Sequence, residues 1–260
     1  MDLGLGGKVA LVTASSGGMG SNIARTLAGE GANIVLFART ADKLEALAAS
    51  LEQECGVRAL AVAGSMNDPQ DIDRLFAAIE REFASLDIAV LNTGRPPAPL
   101  RATTDETEKA RWDQSYETLL SGVIEVTKRV HPLMARGGWG RIVAITSASV
   151  HQPMPRHALS TVFRAGVEAY MKHLSNEIGP AGITVNCVAP ALIETPHRNS
   201  AQGYSPEQSE KRKGMNVLRR LGTQDELCAV VAFLASVQAG FVTGESIRVD
   251  GGLVTLLYWK

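Results

Sequence analysis

The chain has 260 residues, 45% of them hydrophobic, and a formal net charge of −1 at pH 7. This length is enough to bury the core of one α/β domain, and the near-neutral charge gives no electrostatic reason to expect binding to nucleic acid or to a membrane surface. The chain has no apolar run of the roughly 20 residues that cross a membrane, no secretory signal at residues 1–8 and no cysteine spacing that suits a metal, so we expect a cytoplasmic protein without a metal site.

Short apolar runs alternate with longer helical patterns along the chain. The apolar runs predict buried strands at residues 8–13, 33–38, 57–63, 86–91, 141–146, 183–188 and 246–249. Apolar residues at helical spacing predict helices at residues 18–31, from Asp42 onward, and at 68–84, 106–134 and 157–178, with Asp42 as the cap of the second helix.

This alternation predicts the fold class. Strands joined by helices pair in parallel through right-handed crossovers, so we expect one α/β domain over residues 1–260, a doubly wound (Rossmann) parallel sheet with helices on both faces. Such a sheet binds its ligand at the carboxyl ends of the strands. Residues 194–216 are polar and rich in proline and glycine, and an irregular insert of this kind is expected to be a substrate lid.

A glycine-rich loop follows the first predicted strand and opens the first helix. Backbone N–H groups at a helix start, with the helix dipole behind them, favour a pyrophosphate, and glycines let the backbone approach it closely. A tight turn without a ligand is the alternative interpretation. The predicted contacts in this loop are Thr13, Ser15, Ser16, Gly17, Gly18, Met19 and Gly20.

The loop resembles the Thr-Gly-x-x-x-Gly-x-Gly loop of the short-chain dehydrogenase/reductase family, with Ala14 in place of the first glycine. An alanine there is compatible with the loop if its φ angle stays negative. Other segments resemble family landmarks in order and spacing: Leu91-Asn92-Thr93-Gly94, residues 140–147 ending in a serine, residues 186–190 followed by Thr195, residues 220–222 and residues 249–252. The resemblance covers nearly the whole chain and implies this fold with a pocket for a nicotinamide nucleotide.

The resemblance also implies the other contacts of that nucleotide. Ser65 stands where the family often has an aspartate that holds the adenine amine, and its hydroxyl can accept the same hydrogen bond more weakly. Thr195 corresponds to the threonine that meets the nicotinamide amide. The remaining expected contacts are Met66, Asn92, Thr93, Gly94, Arg164, Pro190 and Ile193.

The end of the second strand predicts which nucleotide is bound. An acidic residue there would hydrogen-bond the ribose hydroxyls of NAD and repel the 2′-phosphate of NADP. The chain instead has Arg39, whose planar guanidinium suits a phosphate, with Thr40 beside it. NADP is therefore the expected cofactor. The alternative interpretation is an Arg39 that lies along the surface with its head in water. NAD is the alternative cofactor, because Gly17 stands where many NADP-dependent relatives have a second basic residue.

The catalytic positions depart from the family pattern. In the family, a serine orients the carbonyl, a tyrosine donates the proton, a lysine four residues later lowers the tyrosine pKa, and an asparagine holds a water. Ser147 matches the serine, whereas Ser160, Arg164 and Leu119 stand at the other three positions. Ser160 is shorter and less acidic than a tyrosine, and Arg164 keeps its charge but cannot relay a proton, although it can bind ribose hydroxyls or favour negative charge on a substrate oxygen.

A different proton donor is therefore expected. His151 lies four residues after Ser147, and a histidine with an ordinary pKa of about 6.5 is a suitable acid. His157 lies at a helix start, where the dipole disfavours its charged form, and Tyr204 lies in the predicted lid. For each of the three, a surface or packing role is the alternative, and His151 is the preferred donor.

Two functions follow from these observations. The first is an oxidoreductase that reduces a carbonyl compound, a 3-oxoacyl compound or a similar ketone, in which Ser147 polarises the carbonyl, Arg164 positions ribose or substrate, and His151 or a water supplies the proton. The second is a catalytically degraded scaffold that binds a nucleotide or a partner. A third variant is an elimination on an anionic substrate held by Arg164.

The only partners we expect besides a small-molecule substrate are further copies of this chain. Relatives are commonly dimers or tetramers, so the resemblance implies a homodimer or homotetramer. Tyr116 and Tyr170 lie on helices that the family uses for subunit contact, and residues 256–260 are apolar for an exposed tail.

Overall fold

The computed structural model describes residues 1–83, 85–194 and 205–255. Seven strands form one sheet in which every pair is parallel. They are β1 (Val9–Thr13), β2 (Asn33–Ala38), β3 (Ala59–Ala63), β4 (Ile88–Leu91), β5 (Gly140–Ile145), β6 (Ile183–Pro190) and β7 (Ser246–Val249). The order β3-β2-β1-β4-β5-β6-β7 reverses between β1 and β4, and this reversal opens a crevice at the carboxyl ends of those two strands.

Helices cover both faces of the sheet, which confirms the predicted doubly wound α/β fold. They are α1 (Gly18–Gly29), α2 (Ala41–Cys55), α3 (Pro69–Phe83), α4 (Lys109–Tyr116), α5 (Gly122–Gly137), α6 (Ala158–Ile178), α7 (Pro206–Lys213) and α8 (Gln224–Ala235). Within the three described ranges, no helix is both long and apolar enough to cross a membrane.

The core is divided by the sheet into two clusters, because alternate side chains of a strand point to opposite faces. Val12 of β1 packs with α1, α2 and α8, as represented by Leu27 and Leu234. Its neighbour Leu11 packs on the other face with α3, α5 and α6, as represented by Met171. The strands of the sheet centre are buried on both faces, and they therefore read as continuous apolar runs in the sequence.

The predicted helix over residues 106–134 is wrong at its first three residues, whereas helical backbone continues from Lys109 to Gly137. The indole of Trp112 donates to the carbonyl of Glu106 at 2.8 Å, and Arg111 donates to the Glu106 carboxylate at 2.8 Å. These contacts hold residue 106 in a turn, so α4 begins only at Lys109. A π-helical turn, Glu117–Ser121, then separates α4 from α5.

Other elements also differ from the prediction. Asp42 does not cap α2; Thr40 is the N-cap residue, and Asp42 lies in the first turn. The strand predicted at residues 183–188 continues to Pro190 because Ala189 and Pro190 pair with β7. The segment 194–216 contains α7, whose start Ser205 and Gln208 stabilise as a capping box, and α8 was not predicted.

Candidate active site

The carboxyl ends of the central strands bring the predicted site residues to one rim. Thr13 ends β1, Asn92 follows β4 and Pro190 ends β6. The Thr13 hydroxyl donates to the carbonyl of Asn92 at 2.7 Å, and Asn92 Nδ2 donates to the carbonyl of Ala14 at 3.4 Å. These bonds join the loop after β4 to the predicted nucleotide loop at the reversal of strand order.

The nucleotide loop is a tight turn that α1 holds in place. Gly18 has a φ angle of +58°, and Ala14 has a φ angle of +48°. The condition of a negative φ, under which an alanine suits this loop without strain, is therefore not met at Ala14. A Cβ added to Gly20 would lie 2.4 Å from the carbonyl oxygen of Ala14, so the first turn of α1 presses directly on this residue. A left-handed alanine costs roughly 1–2 kcal/mol.

Two side chains of this loop, those of Ser15 and Met19, pack inside the protein. Ser15 is fully buried, and its hydroxyl accepts from the N–H of Phe37 at 3.1 Å, so it continues the β1–β2 contact. Met19 packs against the core on the α1 face. Ser16 is half-buried, and Gly17 is exposed and forms the N-cap of α1 without any side-chain cap. No described side chain therefore caps the first N–H groups of α1.

Arg39 and Thr40 lie exposed between β2 and α2. Arg39 has no hydrogen bond or ion pair with any residue that the structure describes, and Thr40 makes no side-chain cap bond at the start of α2. An unpaired guanidinium beside a helix N-terminus has the donors and the charge that a phosphate needs.

The loop after β3 is fixed by an acidic residue that the sequence analysis missed. The backbone N–H of Ser65 donates to Asp71 Oδ2 at 2.8 Å, and this bond is the main reason that the pKa of Asp71 lies below its usual value. The Ser65 hydroxyl accepts from the N–H of Asn67 at 3.2 Å and keeps its own proton for another acceptor. Met66 lies against Gly122 at the start of α5, where a Cβ would be only 2.9 Å from the Met66 Cβ.

Ser147 follows β5 and caps a 3-10 turn, Ala148–Val150. Its hydroxyl oxygen accepts from the backbone N–H of Ser149 at 3.2 Å and from the Ser149 hydroxyl at 3.0 Å. Ser149 is fully buried, whereas Ser147 is partly exposed. The sequence analysis did not identify Ser149, although a serine two residues after a capping serine is a local signal for such a pair.

Arg164 of α6 joins the ends of two strands. Its guanidinium donates to the carbonyls of Ile145 at 2.7 Å and Thr146 at 2.9 Å, and to that of Gly94 at 3.2 Å. Burial lowers the Arg164 pKa to about 10, so the side chain is still charged at neutral pH. Arg164, which the sequence analysis assigns to ribose or substrate, therefore already donates hydrogen bonds to three backbone carbonyls.

Ser160 and Leu119 stand at the other two positions where the chain departs from the family pattern. Ser160 lies in the first turn of α6, is 7% exposed, and makes no hydrogen bond through its hydroxyl to any described residue. Leu119 is fully buried in the π-helical turn. An apolar side chain there cannot hold a water, in agreement with the sequence analysis, and π-helical turns occur frequently at functional sites.

His151 lies in a polar cluster beside β5, β6 and β7. Its Nε2 lies 3.1 Å from the hydroxyl of Ser246 and 3.4 Å from Oε2 of Glu168. The other Glu168 oxygen accepts from the hydroxyl of Thr146 at 2.7 Å. Glu168 was not identified from the sequence, yet a carboxylate four residues after Arg164, on the sheet-facing side of α6, is a signal that could have found it.

Of the remaining predicted residues, the structure describes His157 and Ile193 but not Thr195 and Tyr204. His157 Nδ1 lies 2.7 Å from the carbonyl of Pro155, and Ile193 is buried and pairs with Gly222. Thr195 and Tyr204 lie outside the described residues, as do positions 195–204 of the predicted lid. No group of three or more His, Cys, Asp or Glu side chains in the described ranges could hold a metal ion.

The residues present fit a dinucleotide at this rim. The uncapped start of α1 faces the crevice, and any side chain at Gly20 would displace the loop. The Thr93 hydroxyl is buried beside the same crevice and has no hydrogen-bond partner among the described residues. Backbone donors and an exposed guanidinium at Arg39 are the groups that a pyrophosphate and a ribose phosphate require.

Comparisons with protein families, with known sequences and with solved structures each find proteins that are similar to this chain. A family model described as enoyl-(acyl carrier protein) reductase matches residues 13–254. The chain is similar to nodulation protein G of Rhizobium sp. (strain N33), with 35% identity over 253 residues, 97% of this chain and 99% of that protein. It is similar to a short-chain type dehydrogenase/reductase of Picea abies, with 32% identity over 256 residues, 96% of this chain and 93% of that protein. The structure of L-sorbose reductase from Gluconobacter frateurii complexed with NADPH and L-sorbose has 31% identity and a TM-score of 0.92, over 99% of this chain and 100% of that chain.

Proposed function

Because the chain belongs to the short-chain dehydrogenase/reductase family, we propose that it is an oxidoreductase that uses NADPH to reduce a carbonyl group, that of a 3-oxoacyl compound or a similar ketone, with an atypical active site. The observation that carries this proposal is the predicted nucleotide loop, in which Gly20 lies directly against Ala14 and no described side chain caps the first N–H groups of α1. The L-sorbose reductase that this chain resembles is described with NADPH bound, which supports the same cofactor class.

NADPH is proposed over NADH because of Arg39. This side chain is exposed and makes no bond to a described residue, so its donors need not be released before a 2′-phosphate binds. Position 39 carries a positive charge where NAD-binding sites carry an acidic residue. Thr40 and the start of α2 add uncharged donors beside it.

When bound, the nicotinamide supplies the hydride. Ser147 donates a hydrogen bond to the substrate carbonyl oxygen, and this bond strengthens as negative charge develops there. Arg164 holds the ends of β4 and β5 together through three backbone carbonyls, and its positive charge favours the same oxygen. Ser160 offers a small hydroxyl at the start of α6, where the family has its tyrosine, so the room for substrate is larger here.

His151 is the proposed proton donor. The carboxylate of Glu168 lies 3.4 Å from Nε2 and the hydroxyl of Ser246 lies 3.1 Å from the same nitrogen, so these two contacts fix the orientation of the ring. The second ring nitrogen, Nδ1, makes no hydrogen bond to a residue in the described ranges. It is the nitrogen that would release a proton to the product oxygen, directly or through one water.

A catalytically degraded scaffold is the second candidate function. The specific observation in its favour is that Leu119 is fully buried and that Arg164 already bonds to three carbonyls, so two of the four family positions serve packing or backbone contacts. In that case the chain would bind the nucleotide without turnover and act as a regulatory or assembly subunit.

One experiment separates the two functions. The purified protein is titrated with NADPH and is then assayed, by oxidation of NADPH, on a panel of 3-oxoacyl thioesters, ketoses and hydrophobic ketones. The first function predicts turnover on at least one carbonyl, a large loss in Ser147→Ala and a loss with an altered pH profile in His151→Ala. Tight NADPH binding with no turnover on the whole panel would contradict it and favour the scaffold.

We also propose a homodimer or homotetramer. Tyr116 and Val162 are large side chains on α4 and α6 that are about half exposed, and Phe241 between α8 and β7 is fully exposed. Tyr170 instead packs inside the chain, with its hydroxyl 2.7 Å from that of Thr127. Light scattering on the purified protein tests the oligomer, and a monomer would contradict it.

The cytoplasmic location and the lid at residues 194–216 stay predictions.

A further inference from the structure

We propose that Ser149 is a positioning residue that holds the hydroxyl of Ser147 as a hydrogen-bond donor toward the substrate carbonyl. This inference rests on the proposed carbonyl reduction and adds to it a residue that acts through Ser147. Ser149 itself is fully buried, so it does not touch the substrate.

The geometry fills the acceptor capacity of Ser147. A hydroxyl oxygen has two lone pairs. The N–H of Ser149 donates to Ser147 Oγ at 3.2 Å, and the hydroxyl of Ser149 donates to the same atom at 3.0 Å. Because both lone pairs of Ser147 Oγ are occupied, this hydroxyl can only donate a further hydrogen bond. Ser147 is partly exposed after the end of β5, where a substrate could accept that bond.

Burial decides the direction of the bond between the two hydroxyls. If Ser147 donated to Ser149, the proton of Ser149 would need a second acceptor. Ser147 Oγ is the only hydrogen-bond partner of the Ser149 hydroxyl within the described ranges, and a buried donor without an acceptor is costly. The Ser149 hydroxyl therefore donates, and the proton of Ser147 points elsewhere.

This arrangement matters more here than it would beside a tyrosine. Position 160 is a serine, so Ser147 is the principal fixed donor for a carbonyl oxygen in the proposed site. A hydroxyl that accepts two hydrogen bonds is polarised and donates more strongly. It is also prepared for the charge that develops on the substrate oxygen, without having to reorient during the reaction.

A double-mutant cycle tests the inference on a carbonyl substrate identified in the panel. Ser149→Ala removes one of the two bonds to Ser147, and we expect kcat to fall about tenfold, as for the loss of one neutral hydrogen bond, with KM for NADPH unchanged. In the Ser147→Ala background, Ser149→Ala should have no further effect. Ser149→Thr keeps the hydroxyl and should retain most of the activity.

Controls separate positioning from folding. Ser175→Ala removes another buried hydroxyl, which bonds to the carbonyl of Lys172 away from the site, and should leave kcat unchanged. Thermal unfolding is measured for every variant. If Ser149→Ala does not fold, Ser149→Cys replaces it, because a thiol has a similar size and is a weaker donor.

The outcomes are distinct. Equal losses from Ser149→Ala in the wild-type and Ser147→Ala backgrounds would overturn the inference, as would a loss of kcat that follows only from weaker NADPH binding or a lower Tm. Turnover by the wild-type chain combined with either result leaves the proposed function standing. A wild-type chain that reduces no carbonyl overturns the proposed function, and the role of Ser149 with it.

Discussion

Substitution of Gly20 by alanine tests whether the loop after β1 binds the nucleotide. An added Cβ would lie 2.4 Å from the carbonyl oxygen of Ala14 and 2.9 Å from the Cα of Ser15. Both of these atoms belong to backbone, so neither can rotate away. Since ordinary contact begins at about 3.4 Å, the loop or the first turn of α1 has to move by ~1 Å.

A shift of this size has two measurable effects. Overpacking of this kind costs about 1–3 kcal/mol of unfolding free energy. The same shift moves backbone N–H groups out of hydrogen-bond distance from a phosphate, and each such bond to a charged group contributes about 1.5–3 kcal/mol. If two donors are lost, NADPH affinity falls about 100-fold or more.

The assay is a fluorescence titration with NADPH, accompanied by thermal unfolding. Gly29→Ala is the matched control, because it lies in the same helix and a Cβ there would meet nothing within 4 Å. The control should bind NADPH normally and gain a little stability, since alanine is the better helix former. NADPH affinity in Gly20→Ala equal to that of the wild-type chain would refute the assignment of this loop.

Three further substitutions have defined outcomes. Arg39→Asp should weaken NADPH about 10- to 100-fold and improve NADH binding, without a change in Tm, because a charge-assisted phosphate contact is lost; the equal weakening of both nucleotides would contradict this. Ala14→Gly should raise the unfolding free energy by up to about 1 kcal/mol, since the left-handed strain at φ +48° is removed and part of the gain is lost to unfolded-chain entropy; a lower Tm would count against it. Arg220, through its hydrogen bond, lowers the pKa of Glu226 to about 2. This pair therefore stabilises the fold fully above the ordinary glutamate pKa and loses that contribution as the pH falls toward 2, so wild type should lose more stability than Glu226→Gln between about pH 5 and pH 2.

The fold was predictable because the sheet is buried on both faces. Strands such as β1 and β5 are therefore continuous apolar runs between glycines, and their order and alternation with helices define a doubly wound sheet. The missed helix α8 also had a local signal, since Thr223 and Glu226 form a capping box three residues apart.

Other features depend on contacts that are distant in the sequence. Arg111, near the start of α4, bonds to Glu106 but also to the carbonyls of Pro97 and Pro99, which lie twelve or more residues away. Ser15 was predicted to contact the nucleotide, yet its hydroxyl bonds to the backbone of Phe37 on the neighbouring strand. Pattern and propensity contain no information about such long-range partners.

The sequence predicted where the site residues lie in the fold, but it did not predict the hydrogen bonds that they make. The parallel sheet brings Thr13, Asn92 and Ser147 to one edge, as the spacing implied. The sequence could not show that Arg164 of α6 would bond to backbone carbonyls, or that Glu168 of the same helix would lie beside His151. Both contacts follow from how α6 packs on the sheet. The φ angle of Ala14 likewise depends on the approach of Gly20.

The most direct test of the account is calorimetric titration of the wild-type chain with NADPH and, separately, with NADH. We expect one molecule of NADPH to bind per chain, more tightly than NADH, because the loop from Thr13 to Gly20 offers backbone donors to the pyrophosphate and Arg39 offers its guanidinium to the 2′-phosphate. Binding of neither nucleotide at millimolar concentration would contradict the proposed function and leave only the fold.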